Sequence, residues 1–328
     1  MNPDETLAST IFNKMDIILR ITNECNQRCK FCNVTYDYES PSISDIKHWI
    51  NIRRGYENIS ISGGEPTLRD ELPSIIRYAK QSHIKKVTLQ TNALRFSYDK
   101  YAKIIKLSGL DELFISFHAH SESLYGQITN TTGHFKIAHA GITNALSLKI
   151  PVVLNIVINK LNYKSLPEYV KFVNDNFTSI QHISFSFVQP QGRAQNNKYI
   201  VPMYSEVEPY LIEALDYCHR VKLKFYNPYC GFPLCMFGKY YQFSNEFMDS
   251  LTMPLLKNTD NHASNSTKIK DHLVTTNSII KNKVKSSQCN KCKMNAKCNG
   301  VWVWYKELYG IKELKPIKCA TKHQLIMR

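Results

Sequence analysis

Six apolar, strand-like runs precede residue 190, and their alternation with helix-like segments is the feature that most constrains the fold. The runs are residues 16–21, 58–62, 86–90, 113–118, 152–159 and 182–188. Helix-like segments lie between them at 44–54, 68–81, 98–107, 135–148 and 166–176. Strands separated by helices pair in parallel, and nearly continuous apolar strands are typical of sheets that helices cover. The sequence therefore predicts an α/β fold whose sheet, closed or partly closed, is a barrel of the TIM type, with functional residues at the carboxyl ends of the strands.

Three closely spaced cysteines follow the first strand-like run. Cys25, Cys29 and Cys32 form the pattern Cys-x3-Cys-x2-Cys. Cysteine thiolates in short, loop-borne spacings of this kind hold iron–sulfur clusters. Three thiolates can bind three irons of a four-iron cluster, which leaves the fourth iron open to a small molecule. A zinc loop, or three unrelated buried thiols, is the alternative explanation of this triplet.

A glycine motif ends the second strand-like run. Gly63 and Gly64 precede Glu65 in the stretch Ser-Ile-Ser-Gly-Gly-Glu-Pro-Thr. Glycine lets a backbone approach a ligand closely, and the carboxylate of Glu65 with nearby carbonyls suits a ligand ammonium group. Together the two motifs resemble those of the radical SAM superfamily. These enzymes bind S-adenosylmethionine on the open iron of a [4Fe-4S] cluster and cleave it to a 5′-deoxyadenosyl radical. The family resemblance also implies the partial (β/α)6 form of the TIM-type barrel.

The resemblance implies a role for each residue of these motifs. Cys25, Cys29 and Cys32 bind the cluster, while the backbone around Phe31 meets adenine. The methionine amino group binds the glycine motif and the carboxylate that follows it: Gly63, Gly64 and Glu65. Further cofactor-binding residues are expected at the ends of the third, fourth and fifth strands: Thr91, Asn92, Ser116 and Asn155. Taken alone, a Ser or Asn at a strand end is also explained as a turn or capping residue.

The sequence pattern changes after about residue 200. We therefore predict a barrel core over residues 1–200 and a second region over residues 201–328. Residues 207–221 predict a helix that buries Cys218 among apolar neighbours. Residues 256–287 are rich in Lys, Asn, Ser and Thr, which predicts a flexible loop.

A second cysteine group lies beyond this loop. Cys289, Cys292 and Cys298 form Cys-x2-Cys-x5-Cys, a spacing that suits a metal. It resembles the auxiliary-cluster extension of the SPASM and twitch group of radical SAM enzymes, which implies a small C-terminal domain with one auxiliary iron–sulfur cluster, of the [4Fe-4S] type. The fourth ligand is either Cys235 or Cys319, and the role of Cys230 is open. A structural zinc ion is the alternative.

The resemblance implies an enzyme of the oxidoreductase or peptide-maturase type. Our leading hypothesis is oxidative modification or cross-linking of a ribosomally made peptide, started by hydrogen abstraction. Dehydrogenation or epimerisation of a small natural-product intermediate is an alternative, and RNA modification is a second one. A reductant such as flavodoxin or ferredoxin is the expected protein partner. A non-catalytic iron–sulfur scaffold or sensor is the alternative outside enzymes.

The net charge and hydropathy of the chain limit which binding partners and which cellular compartment we expect. The net charge of +15 suits nucleic acid, yet the lysines are scattered along the chain, which argues against specific nucleic-acid binding. No run of 18 apolar residues occurs, so we expect no membrane span. Ten cysteines without a signal-peptide pattern favour metal binding over disulfides, and we expect a reducing cytoplasmic environment.

Overall fold

A parallel sheet forms the centre of the molecule. The structure, a computed structural model, describes residues 17–34, 39–53, 58–189, 191–252, 273–274 and 282–318. Within these residues seven strands lie side by side in chain order, each parallel to the next. They are β1 (Ile17–Thr22), β2 (Asn58–Gly63), β3 (Lys86–Thr91), β4 (Glu112–Ser116), β5 (Val152–Ile158), β6 (His182–Phe187) and β7 (Phe225–Tyr226). A short strand, β8 (Leu273–Val274), pairs antiparallel with β1 at the other edge. The predicted partial barrel of the TIM type is confirmed.

Helices connect the first six strands. They are α1 (Ile43–Asn51), α2 (Leu72–Gln81), α3 (Asp99–Leu107), α4 (Glu122–Thr129), α5 (His134–Ser147) and α6 (Leu166–Asn176). Five of them lie where the sequence predicts helices. The sequence analysis did not predict α4 or β7. A capping box sets the start of α1. The Ser42 side chain accepts a hydrogen bond from Asp45 N–H, and the Asp45 carboxylate accepts one from Ser42 N–H.

Strand β2 has one apolar and one polar face. In β2, Ile59 and Ile61 are buried in the hydrophobic core shared with the helices, whereas Ser60 and Ser62 line the barrel interior. Side chains alternate between the faces of a strand, so this pattern separates the two sides. The inner face of β2 is therefore polar where it borders the cavity, whereas β4 and β5 also place Phe114, Val153 and Val157 on that cavity.

The C-terminal region packs against the β6 side of the barrel. It contains α7 (Tyr204–Arg220), α8 (Asn245–Thr252), the antiparallel pair β9 (Lys283–Val284) and β10 (Val301–Trp302), and α9 (Val303–Tyr309). Tyr305 of α9 stacks on Tyr204 of α7 with ring centroids 4.1 Å apart, and Tyr204 contacts Phe187 of β6. Cys218 in α7 is fully buried, as predicted.

Some predictions fall partly or wholly on residues that the structure does not describe. Asp16, the predicted start of the first strand, and Cys319 lie outside the described residues. Most of the predicted loop 256–287 does too, although its described parts include β8 and β9. No helix among the described residues is long and apolar enough to cross a membrane.

Candidate active site and auxiliary metal centre

The barrel encloses a cavity of about 1120 Å³. All the residues predicted to bind the first cluster and its cofactor line this cavity: Cys25, Cys29, Phe31, Cys32, Gly63, Gly64, Glu65, Thr91, Asn92, Ser116 and Asn155. They come from the loops and ends of five neighbouring strands, where polar groups can converge on one ligand. The structure therefore brings the whole predicted set together.

Helix α4 anchors the loop that carries the three cysteines, which we call the cluster loop (residues 23–34). The backbone N–H groups of Arg28 and Lys30 donate to the carbonyls of Thr129 and Ile128, at 2.9 and 3.0 Å. Carbonyls in the last turn of a helix have no partner within the helix, so the loop satisfies them. Its position is therefore set by a helix that the sequence analysis missed.

Gln27 links this anchor to the thiols. Its amide nitrogen Nε2 donates to the Tyr125 hydroxyl of α4 at 3.0 Å, and its backbone N–H donates to Cys25 Sγ at 3.4 Å. Cys29 Sγ donates to Gln27 Oε1 at 3.6 Å. Gln27 is buried, yet the sequence analysis did not select it. It is one of several polar residues between the cysteines, so its residue type did not distinguish it from its neighbours.

Burial makes the thiols of the cluster loop hard to ionise by themselves. It raises the pKa of Cys25 to about 11 and that of Cys29 further, although the positive charge of Arg193 acts in the opposite direction. A metal stabilises coordinated thiolates, so the donor set fits a bound cluster. No group of three His, Cys, Asp or Glu within the described ranges could hold a single metal ion. Ligands of separate irons need not converge on one point, so this spacing is compatible with a cluster.

Gly64 allows the cluster loop to lie directly on the loop that follows β2. A Cβ atom at Gly64 would be 2.1 Å from the Glu24 carbonyl oxygen, far inside contact distance. Gly64 N–H donates to the Thr22 carbonyl at 2.7 Å, and Glu65 N–H donates to the Glu24 carbonyl at 2.6 Å. The close approach that we expected toward a ligand is thus made toward the protein's own backbone.

The carboxylate of Glu65 joins the loops after β2 and β3. Its Oε1 accepts from the Thr67 and Thr91 hydroxyls at 2.6 and 2.7 Å and from Thr67 N–H at 3.0 Å. Its Oε2 accepts from Asn92 N–H at 2.7 Å. Burial raises the pKa of Glu65 while these four bonds oppose the shift. The side chain therefore organises the site from within the protein, a role that the sequence analysis did not predict.

Asn92 is also engaged by the protein. Its Nδ2 donates to Asn26 Oδ1 of the cluster loop at 2.7 Å, and its Oδ1 accepts from Leu94 N–H at 3.1 Å. Asn92 therefore ties the loop after β3 to the cluster loop while capping its own turn. The turn explanation of this residue is therefore confirmed, whereas cofactor binding by Asn92 stays a prediction.

Ser116 and Asn155 are neighbours across β4 and β5. Asn155 Oδ1 accepts from the Ser186 hydroxyl of β6 at 2.7 Å. Ser116, Asn155 and Ser186 all line the cavity. This polar row across three strands is a suitable surface for hydroxyl and carboxylate groups of a ligand.

Phe31 packs edge-on against His118, with ring centroids 4.6 Å apart. Burial lowers the pKa of His118 to about 3, so its ring is neutral near pH 7. His118 Nδ1 accepts from Val157 N–H at 3.2 Å, which leaves Nε2 to carry the ring proton. The imidazole therefore supports the aromatic wall beside the cluster loop as a neutral group.

Four cysteines line a second, small cavity. They are Cys235, Cys289, Cys292 and Cys298. Two of the sulfurs accept backbone hydrogen bonds, Cys298 from Gly300 N–H and Cys292 from Ile317 N–H, each at 3.3 Å. Burial raises the pKa of Cys235 to about 12 and that of Cys298 to about 11. Half-buried thiols that line one pocket, two of which accept N–H bonds, fit a metal centre.

Cys230 takes no part in this second cavity. It lines the barrel cavity, although it precedes Cys235 by only five residues. The turn between them therefore directs the two thiols to different sites. Sequence spacing alone could not separate them, because both belong to one short cysteine-bearing segment.

The comparisons with known proteins give a family match for the barrel. Residues 19–173 match the family model described as the Radical SAM superfamily. The chain is similar to proteins named probable GTP 3′,8-cyclase. That of Sulfurisphaera tokodaii is 28% identical over 65% of this chain and 68% of the relative. That of Methanococcus maripaludis is 30% identical over 58% of this chain and 65% of the relative. The matched stretch thus spans about two thirds of these relatives.

Several solved structures are similar in fold to this chain although their sequence identity to it is low. Native anSMEcpe with bound AdoMet and Kp18Cys peptide matches with a TM-score of 0.62, 13% identity and 94% coverage of each chain. Streptococcus suis SuiB bound to precursor peptide SuiA matches with a TM-score of 0.50 and 19% identity, over 65% of this chain and 48% of that one. At these identities the likeness concerns the fold.

Proposed function

We propose, from the premise that residues 19–173 of this chain are a radical SAM domain, that the protein abstracts hydrogen from its substrate. The substrate carries no phosphate and is best matched by a peptide. One auxiliary cluster completes the oxidation. When bound, the [4Fe-4S] cluster and S-adenosylmethionine supply the 5′-deoxyadenosyl radical. Cys25, Cys29 and Cys32 would hold this cluster.

The loops around the cavity would hold S-adenosylmethionine. Glu65 fixes the loops after β2 and β3 with four hydrogen bonds, and Gly63 and Gly64 line the cavity, so their backbone would meet the methionine ammonium group. Phe31 and His118 offer an apolar wall for adenine. Ser116 and Asn155 offer polar groups for the carboxylate and the ribose. Each assignment is a proposal from position and chemistry.

The second cavity would hold an auxiliary cluster with four cysteine ligands. Cys235 would complete the set of Cys289, Cys292 and Cys298, since all four line one cavity. Four thiolates leave no open iron, so this cluster would exchange electrons and not bind substrate. Its hydrogen bonds from Gly300 and Ile317 would raise its reduction potential and help it accept an electron.

The charge of the cavity rim carries the proposal about the substrate. We define the rim as the lining residues beyond the carboxyl ends of the barrel strands and outside the first cysteine motif, the glycine motif and the predicted cofactor-binding residues: Asn33, Val34, His118, Gln189, Gln191, Pro228, Tyr229, Cys230, Asn245, Asp249, Asn282 and Trp302. None of these described residues is Lys or Arg, but two cations lie close to them: Arg193 acts on the Cys25 and Cys29 thiols, and the Lys283 ammonium is 5.2 Å from the Trp302 ring centre. The lining lysines, Lys86, Lys222 and Lys224, lie at the amino ends of β3 and β7, and Arg20 lies inside β1. A rim of amides, aromatics and one carboxylate suits a peptide better than a triphosphate, which binds Arg and Lys.

GTP 3′,8-cyclisation is the second candidate. The names of relatives that are 28 and 30% identical favour it. This reaction places a nucleoside triphosphate in the cavity, so it requires cationic partners for three phosphates. The rim charge is the observation that argues for the first candidate over this one.

A substrate comparison separates the two candidates. The anaerobically reconstituted protein is incubated with S-adenosylmethionine and dithionite, alone, with GTP, or with a pooled library of short synthetic peptides. The rate of 5′-deoxyadenosine formation and the masses of new products are measured. We expect stimulation by the peptides and none by GTP. Stimulation by GTP with a cyclised nucleotide product would replace the peptide proposal by the second candidate.

A further inference from the structure

Cys230 is a half-buried thiol in the barrel cavity that is not a ligand of either proposed cluster. It lines the same cavity as the cluster loop, and its Sγ lies 3.4 Å from Ser186 Oγ. The Ser186 hydroxyl donates its only proton to Asn155 Oδ1, so it accepts in the contact with Cys230. The hydrogen of this contact is therefore the S–H hydrogen of Cys230. Burial raises the pKa of this thiol, which keeps the hydrogen in place at neutral pH.

The backbone around Cys230 is fixed at the carboxyl end of β6. Phe187 N–H donates to the Cys230 carbonyl at 2.9 Å, and Gly231 N–H donates to the Pro228 carbonyl at 2.8 Å. The Asn227 side chain closes this turn, because it accepts from Phe232 N–H at 2.7 Å and donates to the Phe232 carbonyl at 2.8 Å. A thiol held in this way keeps one position at the rim, near the site where a substrate radical would form.

Two buried polar groups in this part of the molecule have no hydrogen-bond partner within the described residues. One is the indole N–H of Trp302, a residue that is 2% exposed and lines the cavity. The other is the hydroxyl of Ser184, on the same face of β6 as Ser186. Buried polar groups are normally hydrogen-bonded, so the unpartnered indole N–H of Trp302, which lines the cavity, points to a polar ligand that binds there.

We propose that Cys230 is a catalytic hydrogen-atom donor to the carbon radical formed in this cavity. This inference rests on the proposed function, which supplies that radical. The radical carbon takes the hydrogen atom from the thiol, so a C–H bond forms, the S–H bond breaks, and a sulfur-centred radical remains on Cys230. One electron from a low-potential one-electron donor, together with one proton, restores the thiol.

The donor gives the substrate radical a second fate besides oxidation. Loss of an electron to the auxiliary cluster yields an oxidised product, whereas return of hydrogen from Cys230 yields a product of unchanged composition. If the hydrogen returns to the opposite face of the carbon, the product has one inverted stereocentre.

Solvent deuterium tests this role without a known substrate. In D2O the Cys230 thiol exchanges to S–D, so a 5′-deoxyadenosyl radical formed from S-adenosylmethionine and dithionite alone takes up one deuterium. We expect mostly monodeuterated 5′-deoxyadenosine from the unaltered chain and a severalfold lower deuterated fraction from Cys230→Ala and Cys230→Ser. Cys218→Ala is the matched control, because Cys218 is a buried thiol of α7 that does not line the cavity. It should leave the fraction unchanged.

The outcomes separate this inference from the proposed function. If 5′-deoxyadenosine forms with equal deuterium content in the unaltered chain and both Cys230 variants, the donor role is overturned. If none forms from any iron-loaded chain, the proposed function itself fails. In the cluster-free protein, iodoacetamide should label Cys230 before Cys218, which mass spectrometry of the peptides reports. Equal inertness of the two thiols would refute access to Cys230 from the cavity.

Discussion

Glu246 and Lys283 form an ion pair in which each side chain is only 2% exposed. Glu246 belongs to α8 and Lys283 to β9, so the pair fastens the hairpin of the auxiliary site to the neighbouring helix. Glu246 Oε2 also accepts from the N–H of Asn299, the residue after Cys298, at 3.0 Å. The Lys283 ammonium lies 5.2 Å from the centre of the Trp302 ring at the cavity wall. One buried pair therefore connects the cavity with the loop of the second cysteine group.

Breaking this pair should release the auxiliary metal. Lys283→Met leaves the Glu246 carboxylate buried without its cation, and breaking a buried pair from one side costs about 3–5 kcal/mol. We expect a lower melting temperature and loss of the auxiliary iron. The double variant with Glu246→Met should recover much of the stability. Lys239→Met is the control, because its ion pair with Asp216 is exposed. Unchanged iron content and melting in Lys283→Met would contradict the assigned role.

Gly64→Ala should abolish assembly of the first cluster. The added Cβ would collide with the Glu24 carbonyl at 2.1 Å and force the cluster loop away from the loop after β2. Iron content should fall by about four per chain if each cluster contains four irons. Gly133→Asn is the control, since a Cβ there meets nothing within 4 Å and Asn tolerates its positive φ of 76°. Full iron content in Gly64→Ala would show that the loops can separate without loss of the site.

The fourth auxiliary ligand can be identified by iron analysis. Cys235→Ala should reduce the iron content from about eight to about four per chain, because Cys235 lines the cavity of the other three cysteines. Cys319→Ala should retain the full content, and Cys218→Ala serves as a buried control thiol. The reverse pattern, with loss only in Cys319→Ala, would transfer the ligand role to Cys319. One bound zinc in place of the missing iron would favour the structural zinc alternative.

The lowered pKa of His182 predicts that the folded protein loses stability in mild acid. Burial, with Lys86 and Lys224 nearby, lowers its pKa to about 3 from an ordinary value near 6.5. Below about pH 6.5, His182 therefore binds a proton in the unfolded chain but not in the folded chain, so the free energy of unfolding falls as the pH drops. Each such histidine contributes at most about 1.4 kcal/mol per pH unit in this range. Urea unfolding between pH 7 and pH 5.5 should show a shallower pH dependence in His182→Gln. Identical pH dependence in both chains would exclude His182 as its source.

The sequence predicted the features that depend on local spacing. The six strands and the order of the motifs along them follow from hydrophobic runs, and the cluster loop from the spacing of Cys25, Cys29 and Cys32. Burial of Cys218 followed in the same way from its apolar helical neighbours. These properties need no knowledge of how distant segments pack, which explains why sequence reasoning reached them.

Features that depend on packing between distant segments were not predictable in this way. Helix α4 is short, and it ends at Asn130 in a left-handed conformation with a φ of 53°. Its buried residues Tyr125 and Ile128 are three apart, the spacing of a helical face, which is the signal that could have revealed it. The bond between Glu65 and Thr91 joins loops that only strand pairing brings together. The separation of Cys230 from Cys235 likewise depends on a three-dimensional turn.

Formation of 5′-deoxyadenosine tests the central claim most directly. The protein is purified and reconstituted without oxygen, given S-adenosylmethionine and dithionite, and the nucleoside is measured by mass spectrometry. A variant with Cys25→Ala, Cys29→Ala and Cys32→Ala is run beside it, with its auxiliary iron intact. We predict 5′-deoxyadenosine from the unaltered chain and none from the variant. Absence of the nucleoside from a fully iron-loaded, unaltered chain would contradict the account and favour a binding or sensing role.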